Sequence, residues 1–281
     1  MEHKRILAFI ITYHPDERLL KENLHAFKEH VDSIVVWDNT PGGSNLVQNI
    51  VETELKTALY VTESLNKGIS YALNWAWRYA QDNEFDYLLT MDQDSVWQNF
   101  GRFLRHVLSA QAPRGIFGPK LWTDKLSSEI FERTDYVITS GMLVAIDILN
   151  RIGGYRSDFF VDGIDLEFCL RAKTHGIYTY RLSNCLLRQR FGTPKTITLF
   201  GHDNHTANYA PRRLREILRT HVLILCAYPC SALLRRNIII TYFWKLPLKL
   251  LFLESEKRKK FRAFFQGIQE GWHSICNNKV S

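Results

Sequence analysis

Apolar and polar positions alternate in blocks along the first third of the chain. Residues 5–12 form a continuous apolar run that breaks at Thr12-Tyr13-His14-Pro15, the pattern of a buried parallel strand entering a loop. Residues 16–30 then place Leu19, Leu20, Leu24 and Phe27 at helical spacing. A second apolar run over 33–37 ends at Asp38-Asn39-Thr40-Pro41-Gly42-Gly43, an acid followed by turn formers. Residues 44–56 read as a helix and 58–62 as a third strand. After Asn66-Lys67-Gly68, a helix over roughly 69–81 gathers Ile69, Leu73, Ala76, Trp77 and Ala80 on one face, and 86–91 is the fourth strand. This repeated alternation, with connections of crossover length, predicts an α/β fold built on one mostly parallel sheet flanked by helices.

Farther along, the pattern predicts a helix over 98–110, a short strand at 115–118 and irregular chain over 119–135. Residues 136–146 read as a strand kinked at Ser140-Gly141, where a bulge or a close approach of backbone to ligand would fit. An acid-rich stretch then leads into a helix bearing Arg171 and Lys173. From residue 211 the character changes. Apolar runs at 221–227, 238–244 and 246–253 are interrupted by Arg235, Arg236, Lys245, Lys249, Pro229 and Pro247, so no clean stretch of about 20 residues could span a bilayer.

Candidate chemistry collects at the strand ends. Thr12, Asp38, Asp92 and Asp94 all follow predicted strands and can meet on one rim, where open parallel sheets bind ligands. Asp92-Gln93-Asp94 puts two carboxylates one residue apart, hard oxygen ligands suited to Mg²⁺ or Mn²⁺ shared with a substrate phosphate. The competing reading is a solvated Asp turn that caps the next helix. Convergence of acids on one rim favours the site, with a nucleotide as its natural ligand. A second cluster holds Asp162, Asp165 and Glu167, from which a general base could project. Acids in a first helical turn also satisfy the helix dipole, so capping accounts for at least one of them. If the helix starts early enough, Asp162 and Asp165 share a face and Glu167 does not.

Charge changes the picture of the tail. The 281 residues carry a net charge of +7, but residues 212–281 hold 14 Lys and Arg against 4 Asp and Glu, and the preceding 211 residues hold 22 against 25. A near-neutral body thus precedes a basic tail. Basic residues alternating with long apolar runs suit helices lying in a membrane interface, with Lys257-Arg258-Lys259-Lys260 meeting anionic head groups. Nucleic-acid binding and simple packing on the near-neutral body compete, and the interleaving speaks against nucleic acid. The five cysteines are scattered and lack metal-type spacing, which suits reduced thiols in the cytosol. Residues 6–11 are too short for a secretory signal. His202 and His205 read as surface loop or lining of a substrate site before metal ligands, and Arg212, Arg213, Arg215 and Arg219 as a solvated helix face.

Several landmarks occur in a fixed order: Ile11-Thr12-Tyr13 with Pro15, Val36-Trp37-Asp38-Asn39, Asn66-Lys67-Gly68-Ile69, Ala72-Leu73-Asn74 and Leu89-Thr90-Met91-Asp92-Gln93-Asp94-Ser95. Gly118-Pro119, Thr139-Ser140-Gly141 and the run from Phe160 through Asp162-Gly163-Ile164-Asp165-Leu166-Glu167 to Arg171 follow. Over most of residues 5–195 this set resembles family 2 glycosyltransferases of the GT-A fold. The Asp-Gln-Asp-Ser and Asp-Gly-x-Asp-x-Glu-x-x-x-Arg elements point to the rhamnosyltransferase-like branch.

The resemblance implies a catalytic domain over 1–210, with a nucleotide-sugar half to about 95 and an acceptor half beyond it, and a membrane-associating helical extension over 211–281. It implies Thr12, Tyr13 and Asp38 in the nucleoside pocket and Asn66 and Lys67 near base and diphosphate. Asp92 and Asp94 become the metal-binding pair, with Asp94 the direct ligand, and Asp165 the catalytic base, with Asp162 and Glu167 as near alternatives. Where relatives carry a metal-holding His, this sequence has Gln189, flanked by Arg188 and Arg190 as candidate neutralisers of diphosphate charge. The implied reaction is inverting transfer of a sugar, L-rhamnose from dTDP-rhamnose, to a lipid-linked or polysaccharide acceptor. It would serve cell-surface glycan synthesis (O-antigen or capsule) on the inner face of the cytoplasmic membrane. UDP-galactofuranose as donor, or a catalytically silent sugar-nucleotide-binding subunit, are the alternatives. Nucleotidyl transfer is disfavoured because residues 12–18 lack a Gly-rich phosphate loop.

Overall fold

A computed structural model describes residues 3–55, 58–124, 127–189, 195–199, 202–206, 208–228 and 230–278, with the side chains of 195–199, 202–205 and 276–278 excepted. The chain forms two compact units, Met1–Phe160 with Ile164–Gln189, and Val161–Gly163 with Arg190–Ser281.

In the first unit the expected alternation is present: β1 (Ile6–Thr12), α1 (Glu17–His25), β2 (Ser33–Asp38), α2 (Asn45–Glu54), β3 (Ala58–Thr62), α3 (Ile69–Asp82) and β4 (Tyr87–Asp92). Then come β5 (Ser95–Trp97), α4 (Phe100–Val107), β6 (Gly115–Leu121), β7 (Phe131–Thr134), β8 (Met142–Ala145), α5 (Ile146–Ile152), α6 (Ile164–Thr174) and β9 (Tyr178–Gln189). The nine strands form one sheet in the order β3-β2-β1-β4-β8-β6-β9-β5, with β7 on the flank of β9. β1, β2, β3 and β4 pair in parallel, β8 runs antiparallel between β4 and β6, and β9 is parallel to β6. Six strands therefore point the same way, and the mostly parallel α/β sheet read from the sequence is borne out. The carboxyl ends of β1, β2, β4 and β9 share one rim, which is the fold's main consequence for function.

Every residue of β1 is buried, as a central strand covered on both faces requires. The core runs through Ile6, Ala8 and Ile10 to Leu20 and Leu24 of α1, Phe27 just after it, and Phe100 and Phe103 of α4. Three expectations need correction. Residues 119–135 contain β7, and the kinked strand over 136–146 is a loop followed by only β8. The long β9 has no counterpart in the sequence reading.

In the second unit, β10 (Lys195–Leu199) and β11 (His202–Thr206) form an antiparallel hairpin. His202 and His205 thus lie on a strand, not a loop, and their side chains fall outside the described residues. α7 (Pro211–Ala227), α8 (Ala232–Ile238), a π-helical segment (Ile239–Lys245), α9 (Leu246–Phe252) and α10 (Lys257–Asn278) follow. The arginines at the start of α7 are engaged: Arg213 pairs with Asp162, Arg215 with Glu216 and Glu270, and Arg219 with Glu216.

α10 approaches α7 through Gly267 and Gly271, four apart on one face. A Cβ on Gly267 would stand 2.4 Å from the Arg215 carbonyl oxygen and 2.8 Å from Leu218 Cβ. Because backbone cannot yield as a side-chain tip can, Gly267→Val is expected to destabilise the chain by about 1–3 kcal/mol, the usual cost of overpacking. Urea denaturation of the full chain measures it, and an unchanged midpoint would deny the close approach.

Candidate active site

The rim is built by local chemistry at the strand ends. β1 and β2 finish in register, Thr12 opposite Asp38. The Thr12 hydroxyl donates to Asp38 Oδ1 at 3.2 Å, the Thr40 N–H donates to the same oxygen at 3.0 Å, and the Tyr60 hydroxyl donates to Oδ2 at 3.0 Å. Asp38 is fully buried, so its two oxygens organise the pocket wall. Tyr13 projects from the same rim, half-exposed.

β4 ends at Asp92, and Gln93-Asp94 makes a two-residue turn into β5. Each part of that turn is held. The Gln93 amide joins the Tyr13 backbone at both ends, accepting from its N–H at 2.6 Å and donating to its carbonyl at 3.2 Å. The Asp92 carbonyl accepts from Asn23 Nδ2 at 2.5 Å, and the Asp92 N–H donates to Ser140 Oγ at 3.1 Å. Thr90 Oγ1 donates to the Thr139 carbonyl at 2.6 Å, and Gly141, at a φ of 82° that favours glycine, donates its N–H to the Thr90 carbonyl at 2.8 Å. Asn23 and Ser140 are buried parts of this scaffold that the sequence reading did not assign. The available signal was a polar residue on the apolar face of a helix, Asn23 between Leu20 and Leu24.

β9 brings Gln189 to the same rim, where its Nε2 donates to Asp92 Oδ2 at 2.9 Å. Burial, then the charges of Asp94 and of Asp165, push the Asp92 carboxyl up to about 7, against the Gln189 hydrogen bond, which lowers it. The Asp92 carboxyl therefore feels the charges of both Asp94 and Asp165. Strand pleating sends neighbours to opposite faces, and Arg188 is turned away to pair with Glu22 of α1. It lines a cavity of about 390 Å³ with Glu22, Val96, Trp97, Gln98 and Asn99. Arg188, read from the sequence as a candidate neutraliser of diphosphate charge, is thus paired with a carboxylate of α1. Arg190 lies outside the described residues.

The second acidic cluster separates into three fates. α6 begins at Ile164, later than a face shared by Asp162 and Asp165 would need. Asp162 sits before it in the left-handed region, φ 61°, and in the second unit accepts two hydrogen bonds from Arg213 at 2.9 and 3.0 Å. Asp165 occupies the first turn, its Oδ1 accepting from the Leu166 N–H at 2.8 Å. Glu167 is fully buried and clasped by Arg171, 2.8 Å from Nε to Oε1. Arg171 also donates to the carbonyls of Ile152 at 2.6 Å and Gly154 at 2.7 Å. This i,i+4 pair is a clamp between α6 and the end of α5. Arg171→Met would strand a buried carboxylate, for an expected loss of about 3–5 kcal/mol in chemical denaturation. A loss below about 1 kcal/mol would deny the clamp.

Asn66 accepts the Gly68 N–H at 2.8 Å, shaping the turn into α3, and Lys67 pairs with Glu63 at 2.8 Å while covering the Tyr71 ring. Asn74 exchanges two 2.8 Å hydrogen bonds with the Tyr155 backbone, which accounts for its place among the landmarks.

The donors around Asp92 suit a hard cation. Asp92 and Asp94 supply carboxylate oxygens, and the Asn23 Oδ1 and Gln189 Oε1 atoms are buried with no hydrogen-bond partner. Among the described residues no group of three His, Cys, Asp or Glu side chains is poised around a metal. Two carboxylates completed by substrate phosphate and water are, however, the usual way of holding Mg²⁺.

No family model matches the chain. It is 22% identical over 222 residues to the dTDP-rhamnosyl transferase RfbF of Shigella flexneri, covering 71% of this chain and 73% of that one. Its fold is similar to residues 1–349 of S. aureus TarS in complex with UDP-GlcNAc, with a TM-score of 0.59 at 14% identity over 94% of this chain and 81% of that fragment. It is also similar to the mannosyltransferase PcManGT of Pyrobaculum calidifontis in complex with GDP-Man and Mn²⁺, with a TM-score of 0.58 at 13% identity over 99% and 76%. The chain has the GT-A glycosyltransferase fold. The sequence likeness is to a dTDP-rhamnosyl transferase, and the solved structures share the fold.

Proposed function

We propose that this glycosyltransferase moves L-rhamnose from dTDP-rhamnose, with inversion, to a lipid-linked or polysaccharide acceptor at the inner face of the cytoplasmic membrane. The observation that carries the reading is Asp92 at the end of β4, held by Gln189 and within the charge fields of Asp94 and Asp165. Asp165 has the role of general base, taking the proton of the acceptor hydroxyl as its oxygen attacks the anomeric carbon. Tyr13, above the wall organised by Thr12 and Asp38, offers its ring to the nucleobase, and Asn66 and Lys67 border the diphosphate. Asp94 and Asp92 would hold Mg²⁺ or Mn²⁺, which when bound offsets charge on the departing diphosphate. Gln189 orients the Asp92 carboxylate. The RfbF likeness supports the rhamnosyl donor, and the Mn²⁺ in the mannosyltransferase complex supports the divalent cation.

A screen of nucleotide sugars by thermal shift and by nucleoside diphosphate release tests the donor. The largest response is expected with dTDP-rhamnose. A larger one with UDP-galactofuranose would reassign the sugar. Binding of a donor without release or transfer would make the chain a silent subunit.

A further inference from the structure

Seven of the exposed large apolar side chains lie within 20 residues: Leu233 (63% exposed), Ile239, Ile240, Trp244 (69%), Leu248, Leu251 and Phe252 (61%). They belong to one uninterrupted helical rod over 232–252, formed by α8, the π-helical segment and α9. Pro247 does not break it. A proline lacks an N–H and crowds the carbonyl four residues back, and the wider π turn just before it accommodates both defects. One side of the rod, with Ile238, Tyr242, Leu246 and Leu250, packs inward, and the last three join Leu214, Ile217, Leu218 and Phe264 in the second unit's core. The other side carries the seven apolar side chains named above among basic and polar residues, and it is exposed.

Charge identifies what that exposed side meets. No Asp or Glu occurs between Glu216 and Glu254, whereas Arg235, Arg236, Lys245 and Lys249 lie along the rod. Two copies meeting through this face would oppose two cationic, acid-free surfaces. Anionic phospholipid instead takes the guanidinium and ammonium groups at its head groups and the Trp, Leu and Phe side chains below them. No described helix is long and apolar enough to cross a membrane, so the rod would lie in the interface plane. The basic run expected to lead this contact is partly committed elsewhere. Lys260 is 2% exposed and pairs with Glu254 at 2.8 Å, and Lys259 pairs with Glu256.

We infer that the exposed face of the 232–252 helix, centred on Trp244, Leu248 and Phe252, is the element that inserts into an anionic lipid surface. This rests on the membrane placement proposed above and assigns it to particular side chains. The test is sedimentation of the full chain with phosphatidylcholine vesicles containing or lacking phosphatidylglycerol. Wild type is expected to bind the anionic vesicles. Trp244→Ser/Leu248→Ser/Phe252→Ser should bind at least tenfold more weakly with an unchanged melting temperature, because all three side chains are exposed. Arg235→Glu/Arg236→Glu should also lose binding, and Lys257→Ala/Arg258→Ala should retain most of it. If wild type binds and the triple and charge-reversal variants bind equally well, the insertion face is wrong and membrane placement stands. If wild type ignores all vesicles, membrane placement fails as well, whether or not it turns over donor. A wild-type dimer that the triple variant converts to monomer would make this face a self-association surface and overturn the inference.

Discussion

Asp165→Asn is expected to lower sugar transfer by about a thousandfold, within the range that a positioned general base contributes, while donor binding stays close to wild type. Asn has nearly the same shape, and its amide oxygen can still accept the Leu166 N–H that Asp165 Oδ1 accepts at 2.8 Å. The first turn of α6 should therefore persist. What disappears is a group able to take a proton. Because the Asp165 charge also reaches Asp92, its removal makes ionisation of Asp92 easier, and cation binding should hold or improve. Parallel measurement of product formation and of donor binding by calorimetry separates the two effects. Normal turnover in this variant would remove Asp165 from the base role.

Asp94→Ala is expected to weaken cation-dependent donor binding by about a hundredfold, as loss of a direct ligand to a catalytic divalent ion costs several kcal/mol. The pH dependence follows from Asp92. Its carboxyl titrates at about 7 rather than at its ordinary 3.8 because it is buried beside two like charges. A proton and a cation compete for it, so cation affinity should fall as pH drops below about 7, approaching tenfold per unit for one proton. The cation-free fold follows the opposite course. Between pH 3.8 and about 7 the folded chain binds more protons at Asp92 than the unfolded chain does, so this group's stabilising contribution is complete below 3.8 and lost as pH rises through 7. Mn²⁺ should consequently raise the melting temperature more at pH 8 than at pH 6, and less in Asp94→Ala at both. Equal shifts in wild type and variant would reject the pair as a cation site.

The parts of the fold legible in the sequence are those where one physical signal dominates. β1, β2 and β4 are largely apolar up to their polar carboxyl ends because they are buried, and α1 and α3 show one apolar face each. β9 was illegible because its residues serve several neighbours at once: Leu182, Cys185 and Leu187 enter the core, Arg188 reaches α1 and Gln189 reaches Asp92. The rod over 232–252 was hidden by Pro247, since a π turn is not visible in a pattern of apolar residues. The rim acids were recognisable because carboxylates after buried strands need a reason. Their division of labour was not, because it depends on where α6 starts and on Arg171 and Arg213, which claim Glu167 and Asp162.

The most direct test of a cation-assisted transferase with Asp165 as its base is the rate of nucleoside diphosphate release from dTDP-rhamnose with Mn²⁺. It is to be measured for wild type, for wild type with EDTA, and for Asp165→Asn. Release in the first case, and its loss in the other two, is the predicted result; release that survives both EDTA and the substitution would contradict it.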